Sequence, residues 1–431
     1  MAANNTTCLL SLTHLNSLLG PSARAHTHTY AEVVFMAAET LSTALIETCP
    51  AFVDMSDAAK LSLLATEKGS VSLSMRLIVA VVKKVNDIIR RPDGTLNRRL
   101  SDLLEYKVPA SEVPDKLRGV SSKDVVINSQ TGLWVRIFLP PASKANVSNG
   151  MTKMGNNHEG LDYATEGKRR IIVYIHGGGF AVMAADAFIY DQFCRHLCGR
   201  SKAVVVSVNY RRSPEHRFPV AHDDCYAVLE WLEGFKGDVF KPHELDLSQC
   251  VLMGDSAGAN IVHHLGAKWL ACDASTHPRS LCVTAHVLLF PFFGGKDRTP
   301  TELRMHNKAL LVNLENSDWH WRTYLPHGSN RDHAVCNVMG PNAPDLSMLQ
   351  LPRSLVTIAE FDILKDWQLR YAQGLVQASK PVQLLYYTGG IHSFHVLGDR
   401  KLGSRMLSDI VAFIEDGDGK RSAESAVASA K

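Results

Sequence analysis

From residue 171 to residue 387 the chain alternates between two hydrophobic patterns. Short apolar, β-branched runs stand at Ile171–Ile175, Ala203–Val208, Cys250–Met253, Thr284–Phe290, Leu355–Ala359 and Val382–Tyr387. They lack a polar face, which predicts strands buried on both sides. Between them lie segments with apolar residues at three- to four-residue spacing, about Ala187–Gly199, His222–Glu233, Asn260–Leu270 and Trp367–Gln377. A last such segment, Leu402–Ile414, carries Leu402, Met406, Ile410 and Phe413 on one face. Helix and strand in strict alternation predict an α/β protein with a mainly parallel central sheet and helices on both faces.

Two runs precede this region. Asp124–Asn128 and Leu133–Leu139 alternate and are joined by Ser129-Gln130-Thr131-Gly132, which predicts a hairpin. Further upstream, residues 31–90 read as helical. Met75, Ile78, Val79, Val82 and Val85 or Asn86 form one stripe, and Pro92-Asp93-Gly94 stops it. Residues 141–169 are polar and rich in Asn, Gly, Ser and Lys, so a disordered surface insertion is expected there. The tail 416–431 is small and charged and is also expected to be disordered. Residues 1–60 lack the pattern and read as a poorly ordered or lineage-specific extension.

Composition narrows the function classes. With 45% hydrophobic and 21% charged residues the chain has the make-up of a soluble globular protein. A net charge of +3 without a basic block gives no support to nucleic-acid binding. No apolar run reaches the roughly 20 residues of a membrane span. Nine cysteines without C-x-x-C pairs point to reduced thiols rather than a disulfide framework or zinc site. Without HExxH or a Cys/His cluster no metal is assigned. Residues 1–30 contain no acid but only one arginine, Arg24. A cytoplasmic location is therefore expected, with a nuclear one also open and an organelle-targeting N-terminus as the lesser reading.

The candidate chemistry lies in two motifs. Gly254-Asp255-Ser256-Ala257-Gly258 has the form G-x-S-x-G and sits between a strand-like and a helix-like run. That context pushes a serine hydroxyl out above a sheet. His176-Gly177-Gly178-Gly179-Phe180 follows the strand-like Ile171–Ile175 and offers backbone N–H donors to a developing oxyanion. Ser256 is therefore the expected nucleophile, with Gly178, Gly179 and Ala257 as oxyanion donors and His176 structural. A serine needs a base, and the base needs an orienting acid. Both should follow later strands in the order Ser, acid, His. Asp362 is the preferred acid, with Glu360 as competitor and Asp366 read as the opening of a helix. His392 is the preferred base over His395, because two glycines before it can shape a tight loop. His263 and His264 read as packing or surface residues.

These motifs, with Asn209-Tyr210-Arg211-Arg212-Ser213-Pro214-Glu215-His216, resemble the hormone-sensitive-lipase group of carboxylesterases. More narrowly, the chain is similar to plant carboxylesterases and to the soluble gibberellin receptors. The receptor likeness rests on Arg90 to Arg98, Phe292-Phe293-Gly294-Gly295 with Arg298-Thr299, Asp318-Trp319-His320-Trp321 and Asp366-Trp367-Gln368-Leu369. It spans Val79 to Ile414. The resemblance implies an α/β-hydrolase fold in 101–415 with a helical lid in 61–100. It implies hydrolysis of a small or terpenoid-like ester through an acyl-enzyme, without a cofactor. The alternative it implies is a hormone receptor whose lid docks a protein partner; a dehydratase is a weaker third option. The departures favour the esterase. Where those receptors carry Val, Ser and Tyr, this chain has His392, Gly179 and Asn86. An acidic and a basic receptor residue are replaced by Asn316 and Ser317, and a pocket tyrosine by His320. Substrate contacts are expected from Phe180, Val82, Asn86, Leu311, Val312 and His320.

Overall fold

The computed structural model describes residues 71–141, 168–235, 237–271, 279–306 and 308–416. The expectations for 1–60, for most of the 141–169 insertion and for the tail after 416 fall outside these residues.

The first strands form the expected hairpin: β1 (Ser121–Asn128) pairs antiparallel with β2 (Leu133–Leu139). Next come β3 (Arg169–Ile175), β4 (Val204–Asn209), β5 (Leu245–Asp255), β6 (Val283–Leu289), β7 (Arg353–Ala359) and β8 (Val382–Tyr387). All belong to one eight-stranded sheet in the order β1-β2-β4-β3-β5-β6-β7-β8. From β4 to β8 every pairing is parallel; β2 joins β4 antiparallel.

The strands are apolar throughout because both faces are covered. Side chains alternate across a strand. Thus Ile171, Val173 and Ile175 enter one hydrophobic cluster, while Ile172 and Tyr174 enter the other. The first cluster includes α4 (Val220–Gly234), α5 (Ala257–Leu270) and α8 (Lys365–Gln377). The second includes α3 (Phe188–Ser201) and α9 (Arg400–Asp416). β8, at the edge, is the exception, with Leu384 and Tyr386 exposed.

β3 is the topological switch point. Its neighbours β4 and β5 leave in opposite directions, which opens a crevice at the carboxyl ends of the strands. Ile175 pairs with Gly254 there, so the HGGGF and GDSAG turns leave the sheet side by side.

The amphipathic stripe forms α1 (Leu73–Ile89), capped by Ser72 Oγ, which accepts from Met75 N at 3.3 Å. Met75, Ile78, Val79 and Ile89 are buried. Met75 and Val79 join the cluster that holds Leu310 and Leu311, and Ile89 packs with Ala181 and Trp319.

Three helices were not legible from periodicity: α2 (Arg98–Leu104), α6 (Pro300–Met305) and α7 (Leu314–Tyr324). α6 carried a usable signal. Thr299 and Glu302 form a capping box, with proline at the first helical position. In α7 the box uses Asn316 at the third position instead of an acid or glutamine, which hides the start.

Candidate active site

Ser256 ends the strand-to-helix turn between β5 and α5 with φ 52° and ψ −116°. This strained backbone is held from both sides. Ser256 N donates to the Leu289 carbonyl at 2.8 Å, and Phe292 N donates to the Ser256 carbonyl at 3.0 Å. The flanking glycines are obligatory on steric grounds. A Cβ on Gly258 would overlap the Ile175 carbonyl, and one on Gly254 would lie 2.6 Å from the Gly258 carbonyl carbon.

The loops after β7 and β8 bring the other two groups to the serine. His392 Nε2 lies 2.8 Å from Ser256 Oγ, and His392 Nδ1 lies 2.7 Å from Asp362 Oδ2. All three side chains are buried, Ser256 retaining 8% exposure. Asp362 is fixed by further donors: Leu364 N reaches Oδ1 at 2.9 Å and Gln368 Nε2 reaches Oδ2 at 2.8 Å. A carboxylate so held selects the imidazole tautomer with its proton on Nδ1, leaving Nε2 to accept from the serine.

The competing residues have other partners. Glu360 accepts from Gly389 N at 2.7 Å and so shapes the loop that carries His392. Asp366 lies in the first turn of α8 and accepts from Thr301 N and Oγ1, both at 2.8 Å. His395 is packed edge-on against Phe193 at 4.8 Å, with neither ring nitrogen hydrogen-bonded. Burial, and then the neighbouring His392, push it down to about 3. His263 is buried against Tyr371 OH at 2.9 Å.

On the opposite wall the HGGGF turn is tied down. His176 stacks on Tyr210 at 4.4 Å, and burial drives its pKa down to about 3, so the ring is a neutral structural element. Gly177 N is engaged by Asp255 at 2.8 Å and by Tyr190 OH at 3.0 Å. No acceptor among the described residues takes the N–H of Gly178 or Gly179. Ala257 opens α5, so its N–H has no intrahelical acceptor either. Arg98 anchors the following segment through the carbonyls of Ala181 (2.6 Å) and Ser213 (2.7 Å).

Asp255 is a residue the motif alone did not single out. It has no exposure and accepts from Tyr174 OH (2.8 Å), Tyr190 OH (3.1 Å), Gly177 N (2.8 Å) and Ser393 Oγ (3.4 Å). One carboxylate thereby joins the serine turn, the glycine turn, α3 and the histidine loop. Burial raises its pKa, and the tyrosine hydrogen bonds oppose that rise.

Residues 172–396 match the family described as alpha/beta hydrolase fold. The chain belongs to the α/β-hydrolase family. It is 38% identical over 351 residues to a gibberellin receptor of Arabidopsis thaliana, covering 81% of this chain and 96% of that protein. It is 31% identical over 327 residues to carboxylesterase 20 of the same plant, covering 75% and 93%. In fold it is similar to an esterase of the archaeon Pyrobaculum calidifontis, with TM-score 0.57, 24% identity and coverage of 80% and 98%. Carboxylesterase relatives place this α/β-hydrolase among the serine hydrolases.

The expected substrate contacts divide. Phe180 is a correction: it has no exposed surface and stacks on Tyr324 at 3.7 Å, within the core that includes Phe292 and Trp321. Its positive φ of 62° turns the side chain inward. Leu311 packs with the cluster of Met75 and Val79, and Val312 packs against the other main cluster. Val82 and Asn86 are half-buried on α1. His320, half-buried on α7, lies against Gly179, where an added Cβ would meet the ring at 2.5 Å from Cε1. Its Nδ1 is buried without a hydrogen-bond partner. Asn316 has a structural task, giving Nδ2 to the Leu311 carbonyl and Oδ1 to Asn313 N, both at 2.9 Å. Among the described residues no helix is long and apolar enough to cross a membrane, and no group of three or more acidic, His or Cys residues is disposed to hold a metal.

Proposed function

We propose that this α/β-hydrolase is a serine carboxylesterase acting on a small or terpenoid-like ester through an acyl-enzyme. The observation that carries the reading is the continuous hydrogen-bond chain from Ser256 Oγ through His392 to Asp362. In the proposed reaction Ser256 Oγ attacks the ester carbonyl and its proton moves to His392 Nε2. Asp362 holds the ring and stabilises the imidazolium. The N–H groups of Gly178, Gly179 and Ala257 receive the oxyanion. His392 then protonates the departing alcohol, the acyl group remains on Ser256, and water attacks with His392 again as base. Each oxyanion donor is worth about 10²–10³ in rate. The domain reading belongs to the same proposal: 101–415 carries the chemistry, and the helical lid of 61–100 closes over it. The α1 contacts with Leu311, Ala181 and Trp319 support that placement. Val82, Asn86, Leu311, Val312 and His320 would meet the substrate beneath it.

A receptor function is the second reading, favoured by the identity to a gibberellin receptor. In that case the same site would hold a terpenoid acid, and a protein partner would dock on α1. The two readings separate in one pair of measurements. The esterase reading expects turnover of p-nitrophenyl butyrate that falls roughly 10⁴-fold or more in Ser256→Ala. It also expects no submicromolar heat signal on titration with a bioactive gibberellin. A silent wild-type enzyme together with tight hormone binding would reverse the assignment.

A further inference from the structure

A second concave site lies beside α7, and no residue of the Ser256 triad lines it. Arg217, Lys296, Arg298, Arg322 and Arg331 face a cavity of about 500 Å³, with Asp318 as the one carboxylate in its wall. Five cations against one acid call for an accounting of partners. Asp318 is shared between Arg298 and Arg331, the latter at 2.6 Å. Arg331 also reaches Glu302, which is wholly buried behind the wall, at 3.2 Å. Two carboxylates thus answer two of the five charges. Arg217 gives Nη1 to the carbonyls of Arg322 and Leu325, at 2.8 and 2.6 Å. Arg322 gives Nη2 to the Pro92 carbonyl at 3.1 Å. Those acceptors are neutral, so both charges stay unbalanced. Lys296 is exposed and has no side-chain partner among the described residues. Asp297 and Asp332 are close in sequence but do not line the cavity.

A second observation concerns donors. Arg331 Nε and Arg298 Nη1 are shielded from solvent without a hydrogen-bond acceptor. Donors left dry in this way are costly, and an arriving acceptor would relieve them. Guanidinium groups bind phosphate through paired N–H donors. The surplus of three positive charges suits a dianion better than a single carboxylate. The cavity falls within the size range of small-ligand sites and exceeds what a bare ion needs.

We infer that this cavity binds a small phosphate monoester, with the phosphate between Lys296, Arg217 and Arg322 and the rest of the molecule along the turn at 326–330. The inference stands apart from ester hydrolysis, so its test uses binding alone.

The experiment is calorimetric titration of the full chain in low-salt buffer. The probes are adenosine 5′-monophosphate, adenosine and inorganic phosphate. The monoester is expected to bind with Kd below about 1 mM, more weakly as salt rises, and adenosine not at all. Lys296→Glu is expected to weaken the monoester at least about tenfold, and Lys296→Glu/Arg322→Glu further, at unchanged melting temperature for the single variant. The single variant keeps the test open if Arg322 proves necessary at Pro92. No binding of the monoester below 1 mM would overturn the inference, as would equal affinity in wild type and Lys296→Glu. Inorganic phosphate binding as tightly as the monoester would reduce the site to an adventitious ion only, which also overturns it.

Discussion

Gly179→Ser sets a side chain where this protein has an aromatic ring. The position has φ +60°, and a Cβ there would come within 2.5 Å of His320 Cε1 and 2.6 Å of Cγ. The ring cannot swing away cheaply. It sits edge-on to Trp319 at 5.1 Å and to Phe292 at 6.4 Å. The left-handed backbone costs a non-glycine residue about 1–2 kcal/mol. Forcing a packed ring aside adds about 1–3 kcal/mol, the usual cost of overpacking. Gly179→Ser should therefore destabilise by about 2–5 kcal/mol in urea unfolding. Turnover should fall by about 10² or more, because a displaced glycine turn misplaces the oxyanion donors. The decisive comparison is a double-mutant cycle with His320→Ala. Removing the ring eliminates the overlap but not the backbone term. The double variant should then be about 1–3 kcal/mol more stable than the sum of the singles implies. Additivity within about 0.5 kcal/mol would refute the reasoning, because the ring would then not be what excludes a side chain. The same geometry explains why a serine at 179, as in the receptors this chain resembles, is incompatible with histidine at 320.

Other consequences are open to measurement. Asp255→Asn keeps the shape but loses the charge that four donors address; we expect a stability loss of about 1–3 kcal/mol and a fall in kcat with little change in KM for p-nitrophenyl butyrate. A larger effect on KM than on kcat would contradict that. His392→Val should abolish turnover while circular dichroism stays native, whereas His395→Ala should act mainly through a cavity beside Phe193; comparable kinetic losses from both would reverse the choice of base. Stability should fall on acidification. Burial holds His176, His286 and His395 down to about 3 and His264 to about 4. The unfolded chain binds those protons near pH 6.5, so this stability is fully present above about pH 6.5 and is lost as pH falls towards 4 and 3. Glu105, raised to about 7 by burial, works in the opposite sense but is outnumbered. Melting temperatures at pH 7.5, 6, 5 and 4.5 should decline steadily; a flat profile would disprove the account.

The strands and the reactive turns were legible in the chain because their causes are local. A run such as Val204-Val-Val-Ser-Val has one sensible environment, a sheet covered on both faces. Gly254 and Gly258 are dictated by contacts within a few residues and by the one neighbouring strand. The order of Ser256, Asp362 and His392 follows from strand alternation, which period and composition reveal. The edge strand β8 was also legible, though its half-exposed pattern was not.

Tertiary structure decided what depends on which loop meets which. The choice between His392 and His395 turns on whether the ring faces Ser256 or Phe193, and both histidines share one short loop. Phe180 looks like a pocket residue in sequence, because it follows the glycines. Its left-handed backbone sends it instead under Tyr324. Asp255 sits inside the motif, yet its role arises from partners on β3, α3 and the loop after β8, far apart in the chain. Helix α7 has aromatic residues in no clear stripe, since its surroundings bury it on several sides and remove the amphipathic signal. The basic cavity is assembled from Arg217, Lys296 and the segment 318–331, and no charge run announces it. Local sterics and hydrophobic period act through neighbours in sequence. Hydrogen-bond partnership, burial and charge balance act through space, and only the folded chain brings those neighbours together.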